Sequence, residues 1–95
     1  MKSLRVRYTP EASLIIKKLH PEVKLQIRDG IRSLVKNPLS GHELQFELSG
    51  FRSCRVKTYR ILYRYNEQKS FIEVIYVGHR RDVYESFRTL LSEKK

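Results

Sequence analysis

Two short segments place arginine and tyrosine at the ends of predicted strands. Residues 59–63 read YRILY, and residues 77–84 read VGHRRDVY. In these segments Arg60 and Arg80 offer planar forks of hydrogen-bond donors, which match the geometry of phosphate oxygens. Tyr84 offers a ring face that can stack on a base, or a phenol that can transfer a proton. Together these side chains indicate RNA as a ligand.

The overall charge agrees with a polyanionic ligand. The 95 residues include 20 Lys and Arg against 10 Asp and Glu, a formal net charge of +10. Such a surface attracts nucleic acid. A basic surface is non-specific evidence by itself, because lysines also keep ordinary soluble proteins dispersed.

Length and composition predict one domain, residues 1–95, without a membrane segment. No apolar run approaches the roughly 20 residues that span a bilayer, and residues 1–7 lack the apolar core of a signal peptide. We therefore expect a soluble, cytoplasmic protein. Cys54 has no partner for an internal disulfide and is interpreted as a small core residue. The three histidines and this cysteine lack ligand spacing, so we expect neither metal nor cofactor.

The first third of the chain predicts a strand followed by a helical hairpin. Leu4, Val6 and Tyr8 alternate with arginines, the period of a half-buried strand. Thr9 is a good N-cap and the proline after it suits the first helical position. A second helical pattern restarts at residues 20–22 and stops at residues 37–38, so the two helices are expected to pack antiparallel.

The rest of the chain is predicted to be mainly strand. Residues 44–48, 54–56, 59–65 and 71–77 each have strand-like patterns, and residues 71–77 are the most β-prone and are expected to form the central strand. Asp82 and Glu85 resemble a capping box at the start of a last helix. The fold class is therefore α+β: an N-terminal strand, an antiparallel helical hairpin packed on a mostly antiparallel four- to five-stranded sheet, and a short C-terminal helix.

Three features occur together with this order of elements: Leu48-Ser49-Gly50 leading into a basic strand, the segment at 59–63 and the segment at 77–84. With them the chain resembles the RelE/ParE superfamily of bacterial and archaeal toxins. The resemblance implies a toxin of a toxin–antitoxin pair. Its RelE branch cuts messenger RNA on the ribosome without metal, the 2′-hydroxyl attacking the adjacent phosphate.

The resemblance also implies four catalytic residues. The catalytic candidates are Arg55, Arg60, Arg80 and Tyr84. The RNA-binding or accessory candidates are Arg52, Lys57, His79 and Arg81. Arginine is almost never a base, since its ordinary pKa exceeds about 12, so the arginines would stabilise developing negative charge. The proton carriers stay open among Tyr84, Lys57 and His79.

Most of these residues have a plainer interpretation. Arg60 is also consistent with a solvated strand position, and the ring of His79 with a hydrogen bond to the adjoining loop. His20 and His42 are interpreted as surface residues beside turns. Tyrosines 63, 65 and 76 are expected to pack in the sheet.

The implied partners are a small acidic antitoxin, the ribosome and mRNA, with operator DNA contacted only through the antitoxin complex and no membrane. Two alternatives remain: a ParE-like inhibitor of DNA gyrase, and a basic RNA-binding module without chemistry. Two departures from the family pattern bear on the choice. Residues 56–58 lack the usual glycine, which predicts a looser hairpin or another turn type, and Ser53 stands where ribosome-dependent members often carry a basic residue.

Overall fold

A computed structural model describes residues 4–93 of the chain, so the first three and last two residues lie outside the description. The elements in chain order are β1 (Arg5–Tyr8), α1 (Pro10–Lys18), α2 (Pro21–Lys36), β2 (His42–Glu43), a 3-10 turn (Phe46–Leu48), β3 (Arg52–Val56), β4 (Tyr59–Asn66), β5 (Phe71–His79) and α3 (Val83–Glu93). The strands form one sheet in the order β1-β5-β4-β3-β2. Strand β1 is parallel to β5, and the other pairs are antiparallel. The predicted α+β architecture is confirmed.

The junction between β1 and α1 follows from the residues at positions 9 and 10. The Thr9 side chain accepts a hydrogen bond from the N–H of Ala12, and Pro10 occupies the first helical turn. The Thr9 hydroxyl also donates to the carbonyl of Ile75 over 2.9 Å. One residue thus caps the helix and fixes it to strand β5.

The helical hairpin covers one face of the sheet, called here the hairpin face. Its core contains Ile27, Ile31 and Leu34 from α2 against Ile61 and Tyr63 from β4. Burial of this apolar surface from the long helix stabilises the fold.

Helix α3 covers the opposite face, called here the α3 face. Val83 and Phe87 are fully buried there, and they pack with Leu62 and Ile75 in a second, smaller core. A register shift between Leu62 and Tyr63 marks the point where β5 carries an extra residue. The two faces are therefore built from alternating residues of the same strands.

Two details of the predicted sheet are wrong. Residues 44–48 do not form a strand, because Phe46 has φ of 56° and the N–H of Leu48 closes a tight turn on the carbonyl of Gln45 over 3.1 Å. The strand of this region is instead the two-residue β2. The middle strand of the sheet is β4, with β5 beside it between β4 and β1.

None of the helices described between residues 4 and 93 has the length and apolar character needed to cross a membrane.

Candidate active site

Ser53 joins two of the predicted site residues. Its side chain is 1% exposed, and its Oγ accepts a hydrogen bond from the Tyr84 hydroxyl over 2.9 Å. The same oxygen lies 3.4 Å from Nη1 of Arg60, which donates to it. The Arg60 guanidinium carbon is 6.0 Å from the centre of the Tyr84 ring, at the outer limit of a cation–π contact. Residues from β3, β4 and α3 thus meet at one buried hydroxyl.

Arg55 is the next residue in this group. It lies directly opposite Arg60 in the antiparallel β3–β4 pair, so both side chains belong to the α3 face. Arg55 is exposed and Arg60 is half-buried. Two like charges at directly opposed positions repel each other. An anion bound between them would relieve that repulsion, which makes this part of the α3 face suited to phosphate.

Gly78 sets the position of the helix that carries Tyr84. It pairs with Arg60 from the other side of β4. A Cβ atom at this position would lie 2.9 Å from Cγ2 of Val83, closer than real Cβ contacts allow. The missing side chain lets the first turn of α3 lie directly on β5. Tyr84, the second residue of α3, is thereby brought to the sheet beside Arg60.

The hairpin that joins β3 and β4 is tight and not looser, so of the two alternatives predicted from its lack of glycine the turn type is the one that remains. Only Lys57 and Thr58 lie between the paired residues Val56 and Tyr59. Lys57 takes φ of 56° at the first central position, as type II′ turns require. The register of Arg55 against Arg60 is consequently regular. The Lys57 side chain is exposed at the turn tip, away from Ser53.

Arg80 and Arg81 lie in the exposed turn before α3. The N–H of Arg80 donates to the carbonyl of Thr58 over 2.8 Å, which ties this turn to the β3–β4 hairpin. Arg80 is therefore held by its backbone next to the strand ends that carry Arg55 and Arg60. The N–H of Arg81 donates to Nδ1 of His79 over 3.3 Å.

His79 and Arg52 lie on the hairpin face, away from the Ser53 group. His79 pairs with Tyr59, and their ring centres are 5.7 Å apart. Because the neighbouring Gly78 is opposite Arg60, the side chain of His79 must point to the other side of the sheet. Nη1 of Arg52 donates to the carbonyl of Gly41 over 2.9 Å. Both side chains thus have local structural roles.

Cys54 also belongs to the hairpin face, where it packs against the larger core. Burial raises the pKa of its thiol, and the positive charge of Arg60 opposes only part of that effect. A raised pKa leaves the thiol protonated at neutral pH, so Cys54 is a poor nucleophile. Its predicted role as a core residue fits this environment.

The arrangement suits charge stabilisation at a phosphate. Arg55 and Arg60 offer guanidinium donors to a phosphodiester, and Tyr84 adds a phenol and a ring face beside Arg60. The sequence does not mark Ser53 as a site residue, because the family pattern indicates only that a basic side chain is absent there. Its alternation with Arg55 along β3 was the signal that could have placed it on the same face.

Comparison of the sequence with known proteins gives two matches. The family model described as the ParE toxin of type II toxin–antitoxin system, parDE, matches residues 6–84. Toxin RelG of Mycobacterium tuberculosis is 35% identical over 81 residues, which cover 83% of this chain and 93% of that protein.

The fold is also similar to that of solved toxin structures. The toxin–antitoxin complex RelBE2 of Mycobacterium tuberculosis contains a chain that matches with a TM-score of 0.77 and 32% identity, covering 83% of this chain and 100% of that one. A chain of the intact E. coli RelBE complex matches with a TM-score of 0.71 and 18% identity, covering 81% of this chain and 96% of that one. At 18% identity, the similarity to the E. coli chain concerns the fold alone.

Proposed function

The chain belongs to the RelE/ParE superfamily of toxins from toxin–antitoxin systems, and from this premise we propose that it is a ribosome-dependent, metal-independent mRNA endoribonuclease. The observation that carries the proposal is the group on the α3 face. Arg60 and Tyr84 both bind the buried Ser53, and Arg55 lies opposite Arg60. A gyrase inhibitor, which works by binding a protein, needs no such group.

In the proposed reaction the 2′-oxygen of a nucleotide attacks its own 3′-phosphate in line with the departing 5′-oxygen. Negative charge grows on the phosphoryl oxygens, and Arg55 and Arg60 donate hydrogen bonds to them. Arg80, in the adjoining turn, adds a third positive charge. In other enzymes, removing one well-placed donor of this kind costs about 3–4 kcal/mol of transition-state stabilisation.

The test compares cleavage of mRNA on translating ribosomes with cleavage of the same mRNA alone, mapped by primer extension. We expect cuts only in the presence of ribosomes. Arg60→Ala and Tyr84→Phe should reduce the cleavage rate by at least about a hundredfold. Arg32→Ala is the matched control, because it removes an exposed arginine from α2 on the opposite side of the sheet. Uncut transcripts with wild-type protein would refute the proposal.

A second candidate, inhibition of DNA gyrase, is favoured by one observation: the matching family model describes ParE toxins. The two functions differ in what stops first after expression. A nuclease stops translation and leaves cut transcripts. A gyrase inhibitor stops DNA replication, induces the DNA-damage response and leaves transcripts intact. A third candidate, RNA binding without chemistry, would bind RNA but leave it uncut on ribosomes.

We also propose a small acidic antitoxin as the partner. A groove of about 290 Å³ lies between the hairpin and β1, an edge strand of the sheet. Its apolar lining comes from Tyr8, Ile16, Ile27 and Ile31, and its basic lining from Lys17, Lys24 and Arg28. An acidic amphipathic segment would complement both parts, and it could pair with the free edge of β1.

The antitoxin proposal predicts that a short acidic protein from a neighbouring reading frame co-purifies with this chain. Lys24→Glu should weaken that complex, because it reverses a charge on the groove. Lys69→Glu also reverses a charge, but at an exposed position in the turn between β4 and β5, outside the groove lining, and serves as the control. Equal binding by Lys24→Glu and the wild type would place the antitoxin elsewhere.

A further inference from the structure

Strand β2 places His42 beside the Ser53 group. His42 is directly opposite Ser53 in the antiparallel β2–β3 pair. Side chains at such positions share one face of the sheet, with Cβ atoms about 4.5–5.5 Å apart. The imidazole of His42 therefore belongs to the α3 face, next to the serine that binds Tyr84 and Arg60. It is also exposed, so a substrate can reach it.

The backbone around His42 is fixed on both sides. The N–H of Gly41 donates to the Tyr63 hydroxyl over 3.1 Å, and the carbonyl of Gly41 accepts from Arg52 over 2.9 Å. After β2, the N–H of Leu44 donates to the carbonyl before β3 over 2.9 Å. A two-residue edge strand would be mobile without such contacts. These bonds hold His42 in register with Ser53.

The other candidates for proton transfer are less well placed. His79 and Cys54 belong to the hairpin face, and Lys57 lies at the tip of the β3–β4 turn. Glu47, farther along the connection after β2, is engaged by Arg88 at 2.6 Å. Its pKa is lowered by a hydrogen bond from its own backbone and by Arg88, which makes it a weaker base.

The charged and titratable groups nearest to His42 on the α3 face are reached through Ser53. Ser53 is directly opposite His42, and Arg60 and Tyr84 both donate to the Ser53 Oγ. Arg55 is two residues farther along β3 on the same face, opposite Arg60. Two of these groups are cations that can bind a phosphate, and one is a phenol. What they lack is a base that works near neutral pH. Histidine is the side chain whose ordinary pKa lies in that range.

We propose that His42 is the general base of the cleavage reaction, an inference that rests on the proposed nuclease function. A ring nitrogen of neutral His42 takes the proton of the 2′-hydroxyl as the 2′-oxygen bonds to phosphorus. The bond between phosphorus and the 5′-oxygen breaks, and the departing oxygen takes its electron pair and the phenolic proton of Tyr84. The products are a 2′,3′-cyclic phosphate and a 5′-hydroxyl. Water then returns the proton from the imidazolium to the tyrosinate.

The experiment measures single-turnover cleavage of ribosome-bound mRNA between pH 5 and 8 by the wild type, His42→Asn and His20→Asn. His20 is the matched control because it is exposed at the N-cap of α2, where its Nδ1 accepts from the N–H of Glu22. Asparagine keeps that cap, so the control should fold and cleave normally. Thermal unfolding and ribosome binding are measured for all three proteins.

We expect His42→Asn to lose at least about a hundredfold in cleavage rate at neutral pH while it still binds ribosomes. The rise of the wild-type rate with pH across the histidine range should also disappear, which a merely structural role would not cause. If His42→Asn cleaves at the wild-type rate, or keeps that rise, the inference fails and the nuclease function stands. If the wild type does not cleave, the nuclease function fails and the inference with it.

Discussion

At the scale of single residues, the site depends on a small buried hydroxyl. Ser53 accepts hydrogen bonds from Tyr84 and Arg60 and is inaccessible to solvent. A lysine at this position would bring charge to the phosphate of the proposed reaction but would leave the phenol without an acceptor. The serine instead orders two groups that come from different elements. Charge at this site is then supplied by Arg55 and Arg60.

We predict that Ser53→Ala destabilises the protein by about 1 kcal/mol, because the half-buried Tyr84 hydroxyl loses its partner. In a domain of this size that loss lowers Tm by roughly 4–8 °C. Ser33→Ala, at an exposed position of α2, should be neutral or slightly stabilising, because alanine favours helix. Thermal unfolding of the three proteins checks the prediction.

A double-mutant cycle isolates the hydrogen bond itself. If Ser53 and Tyr84 stabilise each other, the cost of Ser53→Ala with Tyr84→Phe will be less than the sum of the single costs. Strictly additive costs would mean that the 2.9 Å contact contributes nothing to stability.

At the scale of elements, α3 reaches the sheet because of Gly78. We predict that Gly78→Ala lowers both stability and cleavage, because the new Cβ would meet Cγ2 of Val83 at 2.9 Å and push away the turn that carries Tyr84. Overpacking of this kind typically costs about 1–3 kcal/mol. Denaturant unfolding and cleavage assays measure the two effects.

Val83→Ala provides the compensating change. Alone it should destabilise the protein, because Val83 is fully buried and the substitution leaves a cavity. Combined with Gly78→Ala it should recover part of the loss, since the new methyl group occupies the space that the valine vacates. A double variant that is worse than the sum of the singles would contradict the steric explanation.

The connection from α2 to β2 depends on Tyr63, whose hydroxyl donates to the carbonyl of Pro38 over 2.7 Å and accepts from Gly41 over 3.1 Å. We predict that Tyr63→Phe costs about 1–3 kcal/mol at neutral pH, because two backbone groups lose their partner. Tyr65→Phe, at a partly exposed position of the same strand, should cost less. Chemical unfolding gives the free energies.

The cost of Tyr63→Phe should also depend on pH. Burial raises the pKa of Tyr63 above its ordinary value near 10, and the bond from Gly41 offsets only part of this. The folded state then holds the phenolic proton more tightly than the unfolded state. The corresponding stability is complete below about pH 10 and is lost as the pH rises through the folded pKa. The difference in free energy of unfolding between the wild type and Tyr63→Phe should therefore narrow as the pH rises above about 10.

Most elements could be predicted from the sequence because local signals and tertiary contacts agree. Thr9 and the proline after it begin α1 where capping rules place it. The strand prediction for residues 44–48 was wrong. Their apolar residues alternate as in a strand, whereas Phe46 adopts positive φ and is 86% exposed. In the candidate site, the motif predicts residues such as Arg60, but the relation of Ser53 to His42 depends on strand register, which composition does not encode.

At the scale of the whole molecule, positive charge covers both sides of the sheet. Arg28 and Arg32 are exposed on α2, whereas Arg55 and Arg60 lie on the opposite face. With a net charge of +10, the surface as a whole attracts polyanions such as RNA at low salt. The affinity of the protein for RNA therefore says little about which face of the sheet binds it. The salt dependence of RNA binding by variants of each face is more informative.

We predict that single-stranded RNA binds mainly to the α3 face. The affinity of the wild type should fall with salt on a log-log plot, and the slope should lose about 0.7 for each phosphate contact removed. Replacing Arg55 and Arg60 by glutamine should flatten the slope by that amount per arginine. The same change at Arg28 and Arg32 removes equal charge from the other side of the molecule. Those arginines would make no phosphate contact, so the slope of that variant should stay at the wild-type value. Equal flattening by both pairs would mean that RNA binds non-specifically to basic residues all over the surface.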